Sequence, residues 1–229
     1  MEKRSLMVDN VYNAIKKDFI NNTIGYGDKL VVRVLAERYH TSGTPVKLAL
    51  NRLVSEGLVE AIPGRGVFRK KISFDSVKEI MEIRLMIELY YVDRVIANLD
   101  LYPDVVKKME ELTEKIRDTI LKMDNMEKYF LMYQLDKQFH MEYLKCAGNY
   151  QAILIYDRLG THSYESLTYG KMSKERLLVG SVDEHFDIVN ALKRRDAKEL
   201  SDCLQRHYKN VLQTFETTFK QDRMRTFLS

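Results

Sequence analysis

Cysteine is nearly absent: the 229 residues hold two, Cys146 and Cys203. No disulfide framework is implied, and because the chain opens without a leader-like segment, both are expected to be reduced thiols in a cytoplasmic protein. Proline is as scarce, with only Pro45, Pro63 and Pro103. A spanning helix needs roughly 20 consecutive apolar residues, and no such run occurs, so no membrane partner is expected. Internal repeats and low-complexity tracts are missing. So are a nucleophile elbow, a glycine-rich phosphate loop and the paired Glu-x-x-His motifs of di-iron bundles, which weighs against an enzyme.

What is present is unevenly distributed. Residues 1–71 carry 13 Lys or Arg against 7 Asp or Glu, a net of +6, whereas the rest carries 24 against 26, a net of −2. A basic surplus confined to one lobe is what phosphate neutralisation requires. With 45% hydrophobic residues the chain can bury two cores, and the break near Lys70 to Phe74 predicts domains at 1–71 and 72–229.

The first domain reads as a helix-turn-helix followed by a β-wing. Leu35-Ala36-Glu37 leads to Thr44-Pro45, an N-cap followed by proline at the first helical position, which leaves the N–H groups of that turn facing outward. Val46, Leu50, Leu53 and Val54 recur at helical spacing and anchor the helix, while Lys47 and Asn51 stay free to face a DNA groove. Leu58 to Ala61 and Val67 to Arg69 read as two strands joined through Ile62-Pro63-Gly64-Arg65-Gly66, a tight loop presenting one arginine.

Over roughly residues 8–70 this segment resembles the GntR family of bacterial transcription regulators in order and spacing. The resemblance implies DNA-contacting positions at Arg33, Thr44, Lys47, Arg65 and Gly66, beside the groove-facing Asn51. It departs from the family at Gly43 and Lys47, where arginine is usual. A bidentate fork is thereby replaced by a point charge at Lys47. His40 stands where the family usually has a turn glycine, a position with φ > 0 that His tolerates better than β-branched residues do.

From Ser73 onward the pattern is helical. A helix over about Asp75 to Leu99 carries two apolar stripes, one of Met81, Leu85, Leu89, Val92 and Ile96, the other of Ile80, Ile83, Ile87, Tyr91 and Val95. Arg84 and Glu88 project between them. They form either an internal ion pair at i, i+4 or an arginine held to receive an anion. A second helix, about Tyr102 to Asp124, is scaffold. A third, about Met126 to Ala147, interrupts its inward stripe with Asp136 and His140. Two later stripes, Leu178-Val182-His185-Val189-Leu192 and Leu200-Leu204-His207-Val211-Phe215, each turn a histidine inward. Asp136, His140, His185 and His207 then offer three nitrogens and one oxygen, a set that suits Zn²⁺ foremost, or Ni²⁺, Mn²⁺ or Fe²⁺, with coordination positions left open. His162 reads as a polar helix position.

About Ser76 to Phe219 also resembles the FCD ligand-binding domain of the FadR branch of GntR regulators. The resemblance rests on Glu82-Ile83-Arg84 with Glu88, Asp136-x-x-x-His140, Glu184-His185 with Ile188-Val189-x-Ala191-Leu192, and His207. It implies a metal on the Asp and three His positions, a small carboxylate beside it, Arg84 as an effector contact, and Arg158 and Asn190 as lesser ones. The expected fold is mainly α: an N-terminal winged helix-turn-helix followed by an all-helical antiparallel bundle. The expected protein is a homodimeric regulator on a pseudo-palindromic double-stranded operator, its affinity set by a small anionic metabolite. The alternatives are a regulator whose metal is structural or itself sensed, and a metal-dependent hydrolase.

Overall fold

Apolar residues recur along helix α1 (Glu2–Ile20) so that Val11, Tyr12, Ile15 and Phe19 fall on one buried face, which packs against α3. The computed structural model describes residues 2–71, 73–159 and 173–227, and it divides into two compact units, one ending at Ser73 and the other beginning at Phe74. In the first unit α1 is followed by α2 (Val32–Arg38), α3 (Gly43–Ser55), and the antiparallel strands β1 (Val59–Ile62) and β2 (Gly66–Arg69), paired from Val59↔Arg69 to Ile62↔Gly66. Val46, Ala49, Leu50 and Leu53 of α3 are buried with Leu35 and Leu58 in one apolar cluster.

Helix ends in this unit share one device. At the end of α2 the His40 N–H reaches Glu37 O and the Thr41 N–H reaches Ala36 O, with His40 at φ 50°, a Schellman closure whose left-handed position is the predicted turn histidine. Helices α1 and α3 close the same way over Asn22 and Gly57. The start of α3 corrects the sequence reading. Ser42, extended at φ −82° and ψ 165°, is the cap residue and makes no side-chain capping bond. Thr44 is thus the second helical residue and Pro45 the third, a place proline tolerates because first-turn N–H groups have no intrahelical acceptor.

The second unit is helical throughout its described residues: α4 (Phe74–Tyr90), α5 (Val92–Ala97), a 3₁₀ turn (Leu99–Leu101), α6 (Val105–Leu121), α7 (Met126–Lys145), α8 (Tyr150–Arg158), α9 (Lys174–Leu177), α10 (Glu184–Arg194) and α11 (Ala197–Phe227). A π-helical stretch, Leu178–Asp183, joins α9 to α10. Short connections turn α6 back on α7 and α10 back on α11, while α11 also packs on α4 and α10 on α6. Met109, Phe139, Tyr143, Leu144, Ile188, Val189 and Leu204 fill the core.

The expected single helix over 75–99 is broken at Tyr91, and the cause is tertiary. The Tyr143 hydroxyl donates to the Glu88 carbonyl at 2.9 Å, and the Tyr91 N–H takes that same carbonyl at 3.2 Å, an insertion into the i→i−4 ladder of the kind that kinks helices. One of the two predicted stripes is also incomplete, because Ile83 is 39% exposed. The second predicted helix is shorter at both ends, the third starts at Met126 as expected and ends at Lys145, short of Ala147, and His162 lies outside the described residues.

Leu53 is fully buried and Lys47 exposed on the same helix. Leu53→Ala is therefore expected to destabilise the N-terminal unit by about 2–5 kcal/mol, and Lys47→Ala to leave it within roughly 0.5 kcal/mol. Urea unfolding of the two variants checks the contrast.

Candidate functional site

Four side chains from three helices converge inside the second unit. Asp136 and His140 lie one turn apart on α7, His185 is in the first turn of α10, and His207 is on α11; one ligand atom from each falls within 4.8 Å of every other. The imidazole centroids are 5.3 Å apart for His140–His185, 5.3 Å for His140–His207 and 5.0 Å for His185–His207. All three rings are buried, and Asp136 is partly so.

Carboxylates behind two of the rings fix their orientation. Nδ1 of His140 lies 3.0 Å from Glu88 Oε1, and Nδ1 of His207 lies 2.8 Å from Glu184 Oε2. A carboxylate on Nδ1 keeps the proton there and leaves Nε2 as a lone-pair donor. Asn210 completes the arrangement by donating to Glu184. Among the described residues His185 has no such partner: Nε2 lies 3.4 Å from Asp136 Oδ1 without hydrogen-bond geometry, and neither ring nitrogen is satisfied. Its ring stacks on Phe139 at 3.9 Å and 8°. Burial, with repulsion from His207, His140 and Arg84, pushes its pKa well below the ordinary histidine value, so the imidazole is neutral. A buried nitrogen left without a partner costs about 1–3 kcal/mol. A metal ion would satisfy it, and the donor set of three imidazoles and one carboxylate fits one.

Arg84 and Glu88 are 3% and 0% exposed, one turn apart on α4. The direct ion pair drawn from the sequence as one alternative is not what forms, because among the described residues the two side chains bond through tyrosines and not to each other. Arg84 Nη2 donates to the Tyr156 hydroxyl at 2.7 Å, and the hydroxyls of Tyr156 and Tyr208 both bond Glu88 Oε1. Burial opposes the charge on Arg84, but Tyr156, Tyr208, Asp136 and Glu88 hold its pKa above the ordinary value. Burial likewise pushes the Glu88 carboxyl up, and His140 and Arg84 overcome it, bringing the pKa to about 2. Among the described residues Arg84 Nε has no partner, so a charged, buried guanidinium keeps one donor unused. Arg158 and Asn190 are exposed, unlike the buried histidines. Sequence reasoning missed Tyr156 and Tyr208, and it quoted Glu184 without a role. Adjacency to His185 and His207 was the available signal for Glu184 and Tyr208.

In the first unit Arg33, Thr44, Lys47, Asn51, Arg65 and Gly66 are all exposed. Other arginines there are spoken for: Arg38 pairs with Asp18 at 2.8 Å, Arg52 with Asp9 at 3.1 Å, and Arg69 is buried on the Ile24 carbonyl. Gly66 sits at φ +114°, a conformation that L side chains rarely adopt.

The chain matches the FCD domain over residues 79–210 and the bacterial regulatory proteins of the gntR family over residues 7–68. It is 26% identical over 227 residues to the HTH-type transcriptional regulator LutR of Bacillus subtilis, covering 88% of this chain and 98% of that one. It is 22% identical over 207 residues to the HTH-type transcriptional repressor RspR of Escherichia coli, covering 88% and 85%. The solved structure of E. coli McbR/YncC superposes with a TM-score of 0.69 at 22% identity, covering 94% of this chain and 98% of that one. These relatives are transcription regulators, not enzymes, and no described helix is long and apolar enough to cross a membrane. With a wing-bearing helix-turn-helix unit followed by a helical unit that matches FCD, the chain belongs to the GntR family of DNA-binding transcription regulators, in the branch that carries an FCD domain.

Proposed function

We propose that this regulator binds a divalent metal on Asp136, His140, His185 and His207, and that a small anion, a carboxylate by preference, binds beside it and sets operator affinity. In this reading residues 1–71 form the DNA-binding domain and 72–229 the effector- and metal-binding domain. The observation that carries it is the buried, neutral His185 with both nitrogens unpartnered at the centre of the donor cluster. The carboxylates of Glu88, Glu184 and Asp136, set against and beside the imidazoles, also favour a cation there. Zn²⁺ suits the nitrogen-rich set best, with Ni²⁺, Mn²⁺ and Fe²⁺ also compatible. Such an ion supplies open coordination positions to an anionic group. Arg84, with an Nε that no described residue takes, supplies the second contact, and Arg158 and Asn190 are lesser ones.

On DNA the protein acts as a homodimer on a pseudo-palindromic operator, with Arg33, Thr44, Lys47, Asn51, Arg65 and Gly66 on the duplex. A dimer surface is available on α4, where Ile83, Met86 and Tyr90 are 39%, 62% and 79% exposed at helical spacing. The effector biases a two-state equilibrium of the dimer through its differential affinity, with a coupling of about 1–3 kcal/mol.

Zinc at about a thousand times its Kd is expected to stabilise the chain by about 4 kcal/mol; His185→Ala and His207→Ala abolish that gain, and an undiminished melting shift in both rejects the ligand set. Lys47→Ala and Arg65→Ala weaken operator binding in a gel-shift titration while the zinc shift persists, and loss of the zinc shift instead would overturn the division of labour. For pH, the unfolded chain protonates His185 near 6.5 and the folded one does not. The stability His185 confers is therefore complete above that pH and is lost as pH falls below it. The melting temperature of metal-free protein should drop between about pH 7 and pH 5 more steeply for the wild type than for His185→Gln; equal slopes contradict the neutral assignment.

A further inference from the structure

Lys29 lies outside every motif of the winged unit, and yet the fold brings it to the wing. Its backbone bridges antiparallel to Phe68, flanked by the Leu30 N–H to Val67 O bond at 2.7 Å and the Arg69 N–H to Asp28 O bond at 2.9 Å. The two-stranded hairpin thus gains a third rung on its β2 side. From there the lysine side chain runs along the hairpin. A Cβ placed on Gly66 would meet Lys29 Cε at 2.9 Å, so the stem lies directly on the Gly66 backbone. Gly66 is then constrained twice, by its positive φ and by the lysine packed on it.

At the end of that stem Lys29 Nζ is 5.8 Å from the Phe68 ring centroid, and the Arg65 guanidinium carbon is 5.9 Å from the same ring. Two cations are thereby organised around one aromatic side chain. Glu60 stands opposite Phe68 in the β1–β2 register. Even so, no described carboxylate pairs with either cation, whereas Arg38 and Arg52 of the same unit are paired. An aligned, uncompensated pair of cations next to an exposed backbone glycine has the chemistry of a phosphate contact.

We infer that Lys29 is a phosphate-contacting residue of the wing, which acts with Arg65 across Phe68 to grip the DNA backbone. The inference rests on the reading that the wing meets DNA. It also assigns the lysine a role without sequence preference, since a single ammonium on phosphate carries no base readout.

The test is fluorescence anisotropy of the full-length chain on a labelled mixed-sequence duplex of about 30 base pairs, titrated between roughly 50 and 200 mM salt. Lys29→Met keeps the stem packed on Gly66 and removes the charge, so the slope of log K against log salt should become shallower by about 0.9. Lys29→Arg should keep the wild-type slope, and Lys108→Met, an exposed lysine of the other unit, should leave it unchanged. A wild-type slope in Lys29→Met overturns the inference, as does an equal loss in Lys108→Met. Absence of salt-dependent binding by the wild type would instead overturn the wing reading beneath it.

Discussion

The Glu88 carboxylate is the group around which the helical unit is organised. It is fully buried, it takes Nδ1 of His140 and the hydroxyls of Tyr156 and Tyr208, and its own carbonyl takes the Tyr143 hydroxyl. A buried carboxylate is tolerated only when its lone pairs are occupied and an opposite charge is near. Arg84 and His140 meet that requirement, and in meeting it they are held in place. One end of the network is therefore an oriented imidazole in the donor cluster, and the other is a guanidinium with an unused donor. The same carbonyl bond breaks the helix at Tyr91, so the backbone of α4 and the proposed ligand site share one cause.

The winged unit shows the complementary principle. Its arginines divide between those tied into the fold and those left for solvent. Arg69, buried and stacked on Tyr26 with its centre 3.8 Å from the ring, ties the end of β2 to the segment after α1. Arg38 and Arg52 are paired with carboxylates. Arg33, Lys47 and Arg65 carry no described ion pair. For a protein whose family binds DNA, Arg33, Lys47 and Arg65 belong to the charge left available to phosphate.

Much of this was legible in the sequence because it is written in periodicity. His140, His185 and His207 each continue an apolar stripe, and a helix that buries its stripe must bury them. Arg84 and Glu88 were placed inward by the same arithmetic. What escaped was set by tertiary partners. The break at Tyr91 depends on a hydroxyl 52 positions away, and no local signal at Leu89 to Val92 announces it. Tyr156 and Tyr208 read as core aromatics, since a buried tyrosine does not declare what its hydroxyl will touch. Glu184 reads as an acidic residue suited to a first helical turn, and its hold on His207 emerges only when α10 lies against α11. The start of α3 was placed too late because Ser42 and Thr44 are both acceptable caps, and such boundaries are the least determined feature of a helix.

The central claim is that the unpartnered nitrogens of His185 belong to a metal. Elemental analysis by plasma mass spectrometry, on untagged protein purified without chelator, tests it most directly. The account predicts about one divalent transition metal per chain, lost on chelation and regained on adding Zn²⁺. Protein that carries no metal as purified, and takes up none from Zn²⁺, Ni²⁺ or Mn²⁺, would contradict it.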